Sequence, residues 1–133
     1  MSERKIIRVQ DVMKKRFDMV DRLDTIEDAL NQMVHFDTKC LLVNKRDDDD
    51  EYGIVMISDI ARQVLAKDRP PGRVNIYEIM TKPVLSVKPE MDIRYCARLF
   101  NHFHLSRAPV TKHGEVVGII SLSDMVRKGL RNP

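Results

Sequence analysis

Gly53-Ile54-Val55-Met56-Ile57-Ser58-Asp59 returns as Gly118-Ile119-Ile120-Ser121-Leu122-Ser123-Asp124. This recurrence decides the architecture, because a chain that repeats a spaced pattern of about 50 residues builds one supersecondary unit twice. Working outward, Val12-Met13 matches Ile79-Met80 at a separation of 67, and Val20 with Val87, Ile26 with Ile93 and Val43 with Val110 keep it. Past Val43 the separation falls to 65, so the first copy carries two extra residues around Asp47-Asp48-Asp49-Asp50. Insertions of this kind belong in loops.

In the first copy Asp24-Thr25 precedes Ile26, Ala29, Leu30 and Met33, an i, i+3, i+4, i+7 stripe that predicts a helix with Asp24 and Glu27 as its capping box. Asp92 before Ile93, Cys96, Ala97 and Phe100 repeats the pattern, so both stripes are assigned to the core. Each helix leads to a short apolar strand, Cys40–Val43 or Arg107–Val110, then a polar turn and a longer strand, Tyr52–Ile57 or Val116–Ser121. Pro109 lacks an N–H and is expected at a strand start or edge. Ser58 and Ser123 stand where helix N-caps belong, ahead of Asp59–Leu65 and Asp124–Leu130. A further short strand is expected near Phe17–Val20 and Val84–Val87. The fold class is therefore α/β (α+β), with two β-α-β-β-α units packed through their sheets about a pseudo-twofold axis. The first repeat spans 1–66 with its core at about 9–66, a Pro- and Gly-broken connector spans 67–75, and the second repeat spans 76–133.

At 133 residues with 43% hydrophobic content, the two copies are expected to bury one joint core, neither being self-sufficient. No apolar run approaches the roughly 18 residues of a membrane helix, and the reading is a cytoplasmic protein without a membrane partner. Cys40 abuts an apolar strand and Cys96 lies on a helical stripe, which suits buried thiols rather than a disulfide framework. The net charge of +3 comes from 23 basic and 20 acidic residues spread along the chain, which gives no basic stripe for nucleic acid.

The strand-to-helix junction is the place where chemistry can be done. A ribose offers two vicinal hydroxyl donors, and a carboxylate on the first helical turn, Asp124 or Asp59, can accept both. A hydroxyl at the strand end, Ser121, and free N–H groups at the helix start can face phosphate oxygens. The helix N-terminus adds about half a positive charge. Ser-Asp at a helix start is equally consistent with ordinary capping, worth about 1 kcal/mol and needing no ligand.

With Val12-Met13 and Ile79-Met80-Thr81-Lys82-Pro83-Val84 opening the units, Arg107-Ala108-Pro109-Val110 in the middle and Gly-Ile-Ile-Ser-Leu-Ser-Asp closing, the chain resembles a tandem pair of CBS (cystathionine-β-synthase) domains, the Bateman module, from about Val9 to Leu130. The resemblance implies intertwined β-α-β-β-α units, a homodimer, and clefts for adenosine-containing ligands: AMP, ADP, ATP or S-adenosylmethionine. It implies ribose-binding roles for Asp124 and Asp59, with the hydroxyl three positions earlier present as Ser121 and replaced by Met56 in the first copy. It further implies clefts that mix copies. Asp59, with Ile54 and Ser58, is expected to share a site with Thr81, Lys82, Val84, Arg107 and Ala108. Asp124, with Ile119 and Ser123, is expected to share one with Lys14, Lys15, Arg16 and Phe17 and with Lys39, Cys40 and Leu41. Of the two, the Asp124 site is the better match.

His35-Phe36 recurs as His102-Phe103, which suits helix-end packing, and no Cys or His set has zinc spacing. Asp47–Glu51 lacks the spacing of a calcium loop and is expected to be a solvated hairpin tip. Methionines at repeat-equivalent positions fill core gaps. No nucleophile-base motif or phosphate-cradling Gly loop is present, so no catalytic residue and no required cofactor is assigned. The expected function is a regulatory module that senses an adenosine-containing nucleotide and signals to an unidentified partner protein through dimer geometry. The alternative is a dimeric protein-interaction scaffold with unoccupied clefts.

Overall fold

A computed structural model describes residues 5–82 and 84–131. The chain divides into two compact units that cut across the order of the repeats. One is the contiguous stretch 17–84; the other combines residues 5–16 with residues 85–131.

In the contiguous unit, β1 (Met19–Val20) pairs parallel with β2 (Cys40–Val43), and β2 pairs antiparallel with β3 (Gly53–Met56). On the free edge of β3, Ile54 and Thr81 exchange both backbone hydrogen bonds, at 3.0 and 2.9 Å. Helix α2 (Ile26–Gln32) follows β1, and α3 (Ile57–Ile60) follows β3 directly, continuing over Ala61–Leu65 in wider turns in which Ala66 N–H reaches the Ala61 carbonyl. The other unit repeats the plan: α4 (Ile93–Phe103), then the hairpin of β4 (Arg107–Lys112) and β5 (Glu115–Ser121), then α5 (Leu122–Gly129). Its β5 edge is completed by Lys14, which exchanges backbone bonds of 2.8 Å with Ile119, just after the short helix α1 (Val9–Val12). Lys14 and Thr81 are 67 apart, so the repeat register extends to these edge contacts.

The expected strand near Val84–Val87 is reduced to a single parallel bridge, Val87 to Val110. Pro109 is the cause. Its equivalent in the first repeat, Leu42, donates its N–H to Asp18 O at 3.0 Å to hold β1, and proline has no N–H to give. Pro109 lies inside β4, registered opposite Ile119. Pro83 of the opening motif lies outside the described residues.

The helix stripes are buried as their spacing requires: Ile26, Ala29 and Met33 in one unit, Ile93, Cys96 and Phe100 in the other. Instead of one joint core, two hydrophobic clusters form. The first gathers Val20, Ile26, Leu41, Val43 and Val55 with Val74 and Ile76; the second gathers Ile93, Phe100, Val110 and Ile120 with Val9 and Val12. The first cluster is closed by Val74 and Ile76, which follow its helix and sheet in sequence, and the second by Val9 and Val12, which precede its own. The cap of α2 also differs by one residue from expectation. Thr25 accepts the Asp28 N–H at 3.1 Å, while the Asp24 carboxylate accepts the Asp21 N–H at 3.0 Å and closes the preceding turn. Asp92 caps α4 by accepting the Arg94 N–H at 2.9 Å, and with Arg94 also beside it as a guanidinium its carboxyl is lowered to about 2. Cys40 and Cys96 are buried, and burial pushes the Cys96 thiol up to about 11. Among the described residues no helix is long and apolar enough to cross a membrane.

Candidate functional site

Where β5 runs into α5, Ser121 keeps an extended backbone (φ −125°, ψ 158°) and its hydroxyl accepts the Asp124 N–H at 3.1 Å. Ser121 is therefore the N-cap, two residues earlier than expected. Ser123 falls in the first helical turn and is exposed. The same shift applies in the first repeat, where Met56 occupies the cap position of α3 and Ser58 is an exposed first-turn residue. The physical reason is that the last strand residue already has the extended geometry a cap needs, so the helix starts at once and no intervening loop residue remains to do the capping.

Capping aims Asp124 inward. Its side chain is 1% exposed, and Lys14 Nζ donates to both carboxylate oxygens, at 2.9 and 3.0 Å. Arg127 on the next turn approaches Oδ1 at 3.3 Å and Lys128 at 4.0 Å, the i, i+3 and i, i+4 neighbours that share a helix face. Lys128 also donates to the Val12 carbonyl at 3.4 Å. Burial raises the Asp124 carboxyl, but the hydrogen bonds from Lys14 and Ser121 and the charges of Lys14 and Lys128 outweigh it, leaving the group below the ordinary carboxylate range. Lys14 reaches this position because its backbone is fixed against Ile119, two residues before Ser121.

The first repeat has the same frame with different chemistry. Asp59 is half-buried, and its Oδ2 accepts the Met56 N–H at 3.0 Å. The position equivalent to Lys14 is Thr81, which carries no charge, and among the described residues Asp59 makes no ion pair. The neighbouring Lys82 is committed elsewhere: its Nζ lies 2.5 Å from Asp50 Oδ1. Asp50 also accepts the Arg46 N–H at 2.8 Å, and Lys82 together with that amide holds its carboxyl well below the usual range. The acidic run is thus not solvated throughout. The Asp50 side chain is 7% exposed, drawn in because the ammonium of Lys82, next to the Thr81 contact on the edge of β3, compensates its desolvation.

The remaining expected site residues divide by unit. Ile119, Arg107 and Ala108 lie with Asp124, Arg107 registered opposite Ser121 and Ala108 opposite Ile120, and Arg16 is exposed. Ile54, Cys40, Phe17, Thr81, Lys82 and Val84 lie with Asp59; Cys40 is buried and registered opposite Met56, and Val84 N–H donates to Tyr52 O at 3.1 Å. The sequence reading missed Asp50 as the partner of Lys82 and missed Arg127 and Lys128 as neighbours of Asp124. The second omission was avoidable, since three and four residues along a helix is a local signal.

Two sheet-and-helix units, each ending a strand in a capped helix with an aspartate as its third residue, define the class: a paired-repeat module. The CBS domain pattern matches residues 9–66 and 76–131, and the chain belongs to the CBS domain family. Such a tandem pair is a ligand-sensing regulatory module, generally not catalytic. The hexameric CBS-CP12 protein from bloom-forming cyanobacteria is similar over 92% of this chain and 71% of that one, at 36% identity and a TM-score of 0.87. A homoserine O-acetyltransferase from Methanosalsum zhilinae is 33% identical over 95% of this chain and 24% of its own. The CBS domain pair of protein MJ0100, solved with 5'-methylthioadenosine and S-adenosyl-L-methionine, shares the fold at 24% identity and a TM-score of 0.77, covering 96% of this chain and 100% of that one. The chain spans 52–63% of the length of three further curated relatives.

Proposed function

We propose that this chain is a regulatory module that binds an adenosine-containing ligand, AMP, ADP, ATP or S-adenosylmethionine, without transforming it, and that the bound state alters a homodimer's geometry and so acts on a partner protein. The observation that carries this reading is the doubled strand-to-helix turn that presents Asp124 and Asp59 at the same helical position, the third residue of a helix that starts where the strand ends. A carboxylate there can accept both hydroxyls of a ribose while the helix start and nearby cations meet phosphate. The remaining expected site residues, from Thr81 and Lys82 to Arg107 and Cys40, belong to this proposal as the walls of the two clefts.

The MJ0100 pair, of the same fold, holds adenosine derivatives, and the acetyltransferase contains a stretch similar to this chain within an enzyme, which supports an enzyme as the regulated partner. The hexameric relative supports self-association. A ligand can shift such an assembly only through its different affinity for the two arrangements.

The test is thermal unfolding with AMP, ADP, ATP, S-adenosylmethionine and GTP. At about 100 times its dissociation constant a ligand stabilises by roughly 2.7 kcal/mol, a rise of several degrees for a chain of this size. A rise with an adenosine ligand, lost in Asp59→Asn or Asp124→Asn, is the expected result. The opposing reading, a dimeric interaction scaffold, is favoured by Met56 in place of a hydroxyl and by the occupied Asp124. It becomes the better one if no ligand moves the transition.

A further inference from the structure

Asp124 is already taken. Its two oxygens are bonded by Lys14 Nζ at 2.9 and 3.0 Å, and its side chain is 1% exposed while that of Lys14 is 18% exposed. The carboxylate is thus shut off from solvent with the Lys14 ammonium held against both of its oxygens. The groups facing Asp124 are Lys14 from the edge segment, Ser121 from the strand end, and Arg127 and Lys128 from α5, so three cations surround one carboxylate. In the other repeat the equivalent of Lys14 is Thr81, and among the described residues Asp59 makes no ion pair.

We propose that Lys14 determines the specificity of the Asp124 site: a ligand reaches the carboxylate only by drawing the Lys14 ammonium onto an anionic group of its own, so the site selects phosphate-bearing adenosine ligands over uncharged adenosine and over cationic S-adenosylmethionine. This rests on the adenosine-ligand reading above and narrows it.

The exchange balances chemically without any bond being made or broken. Two ribose hydroxyls replace the two hydrogen bonds that Asp124 loses, and a phosphate replaces the carboxylate that Lys14 loses. Without the phosphate a displaced ammonium is left unpaired in a partly buried place, which is costly. S-adenosylmethionine has a carboxylate to offer Lys14, but its sulfonium and ammonium leave it with a net positive charge that Lys14, Arg127 and Lys128 repel. In the first repeat Thr81 imposes no such exchange, so any preference there comes from other groups.

Isothermal titration with AMP, adenosine and S-adenosylmethionine on the full chain tests this, comparing the unaltered protein with Lys14→Gln and Lys14→Arg. Lys14→Gln keeps a donor for Asp124 beside Arg127 and Lys128, and Lys14→Arg keeps the charge. The unaltered protein should prefer AMP to adenosine by about tenfold or more, the scale of one charge-assisted hydrogen bond. Lys14→Gln should bring the two within about threefold by weakening AMP and strengthening adenosine, and Lys14→Arg should keep the preference. An unchanged AMP-to-adenosine ratio in Lys14→Gln, or S-adenosylmethionine as the tightest ligand of the unaltered protein at a site abolished by Asp124→Asn, overturns the role of Lys14 and leaves the ligand reading standing. Absence of binding by all three ligands to all three proteins overturns the ligand reading and this inference with it.

Discussion

Gly118 opens the repeated heptad, and its side-chain-free face is where another stretch of backbone passes. A Cβ added there would meet the Lys14 carbonyl at 2.7 Å and the Met13 sulfur at 2.8 Å, against 3.2 Å to the Thr81 carbonyl and 3.3 Å to the Met80 sulfur at Gly53. These glycines exist for close approach, not for a turn. Gly118→Ala should therefore destabilise by about 1–3 kcal/mol, because a carbonyl cannot yield as a side chain can, and Gly53→Ala by distinctly less. Urea unfolding of the two variants gives the comparison, and equal losses would contradict this account. The same edge contact carries Lys14 to Asp124. Asp124 itself stood out in the sequence as a first-turn carboxylate, but the ion pair that covers it joins residues 110 apart and has no local signature.

Helices α2 and α4 and the four longer strands were legible because hydrophobic period and apolar runs are local properties. Their ends were less so. Ser121-Leu122-Ser123-Asp124 offers two hydroxyls within a few residues, and only the backbone geometry decides that the first one caps. Ser121→Ala should accordingly cost about 1 kcal/mol while Ser123→Ala stays near zero, read from chemical denaturation midpoints. A larger loss at Ser123 would restore the later start for α5. The truncated strand at Val87 was half legible. Pro109 was recognised as a residue without a donor, but that the missing donor faces the parallel neighbour rather than β5 depends on which side of the strand position 109 presents. The acidic loop misled for a similar reason: Asp50 is buried by Lys82, which lies 32 positions away in sequence but on the neighbouring edge of the same sheet.

At the scale of the molecule, sequence repeats and compact units are different objects. Val9 and Val12 complete the cluster around Phe100, and Val74 and Ile76 occupy the equivalent places around Ile26. Residues 17–84 contain every element of their unit in one stretch, whereas the second repeat taken alone lacks the residues that bond β5 and close its core. A fragment of 17–84 should therefore fold alone with low stability, as expected for a chain of under 80 residues, and a fragment of 76–133 should not. Far-UV circular dichroism and amide chemical-shift dispersion would check both, and a well-dispersed spectrum from 76–133 would refute the assignment. The duplication predicts two units, and the separation of 67 holds from Val12 and Ile79 through Val43 and Val110; what it does not carry is which copy of the opening segment serves which sheet. That choice sets an order of events on the ribosome. Lys14 leaves the tunnel 110 residues before Asp124, which at about 5–20 residues per second is a wait of roughly 5–20 seconds. During that wait the stretch from 17 to 84 can finish its own sheet, so the first segment to be synthesised is among the last to find its place.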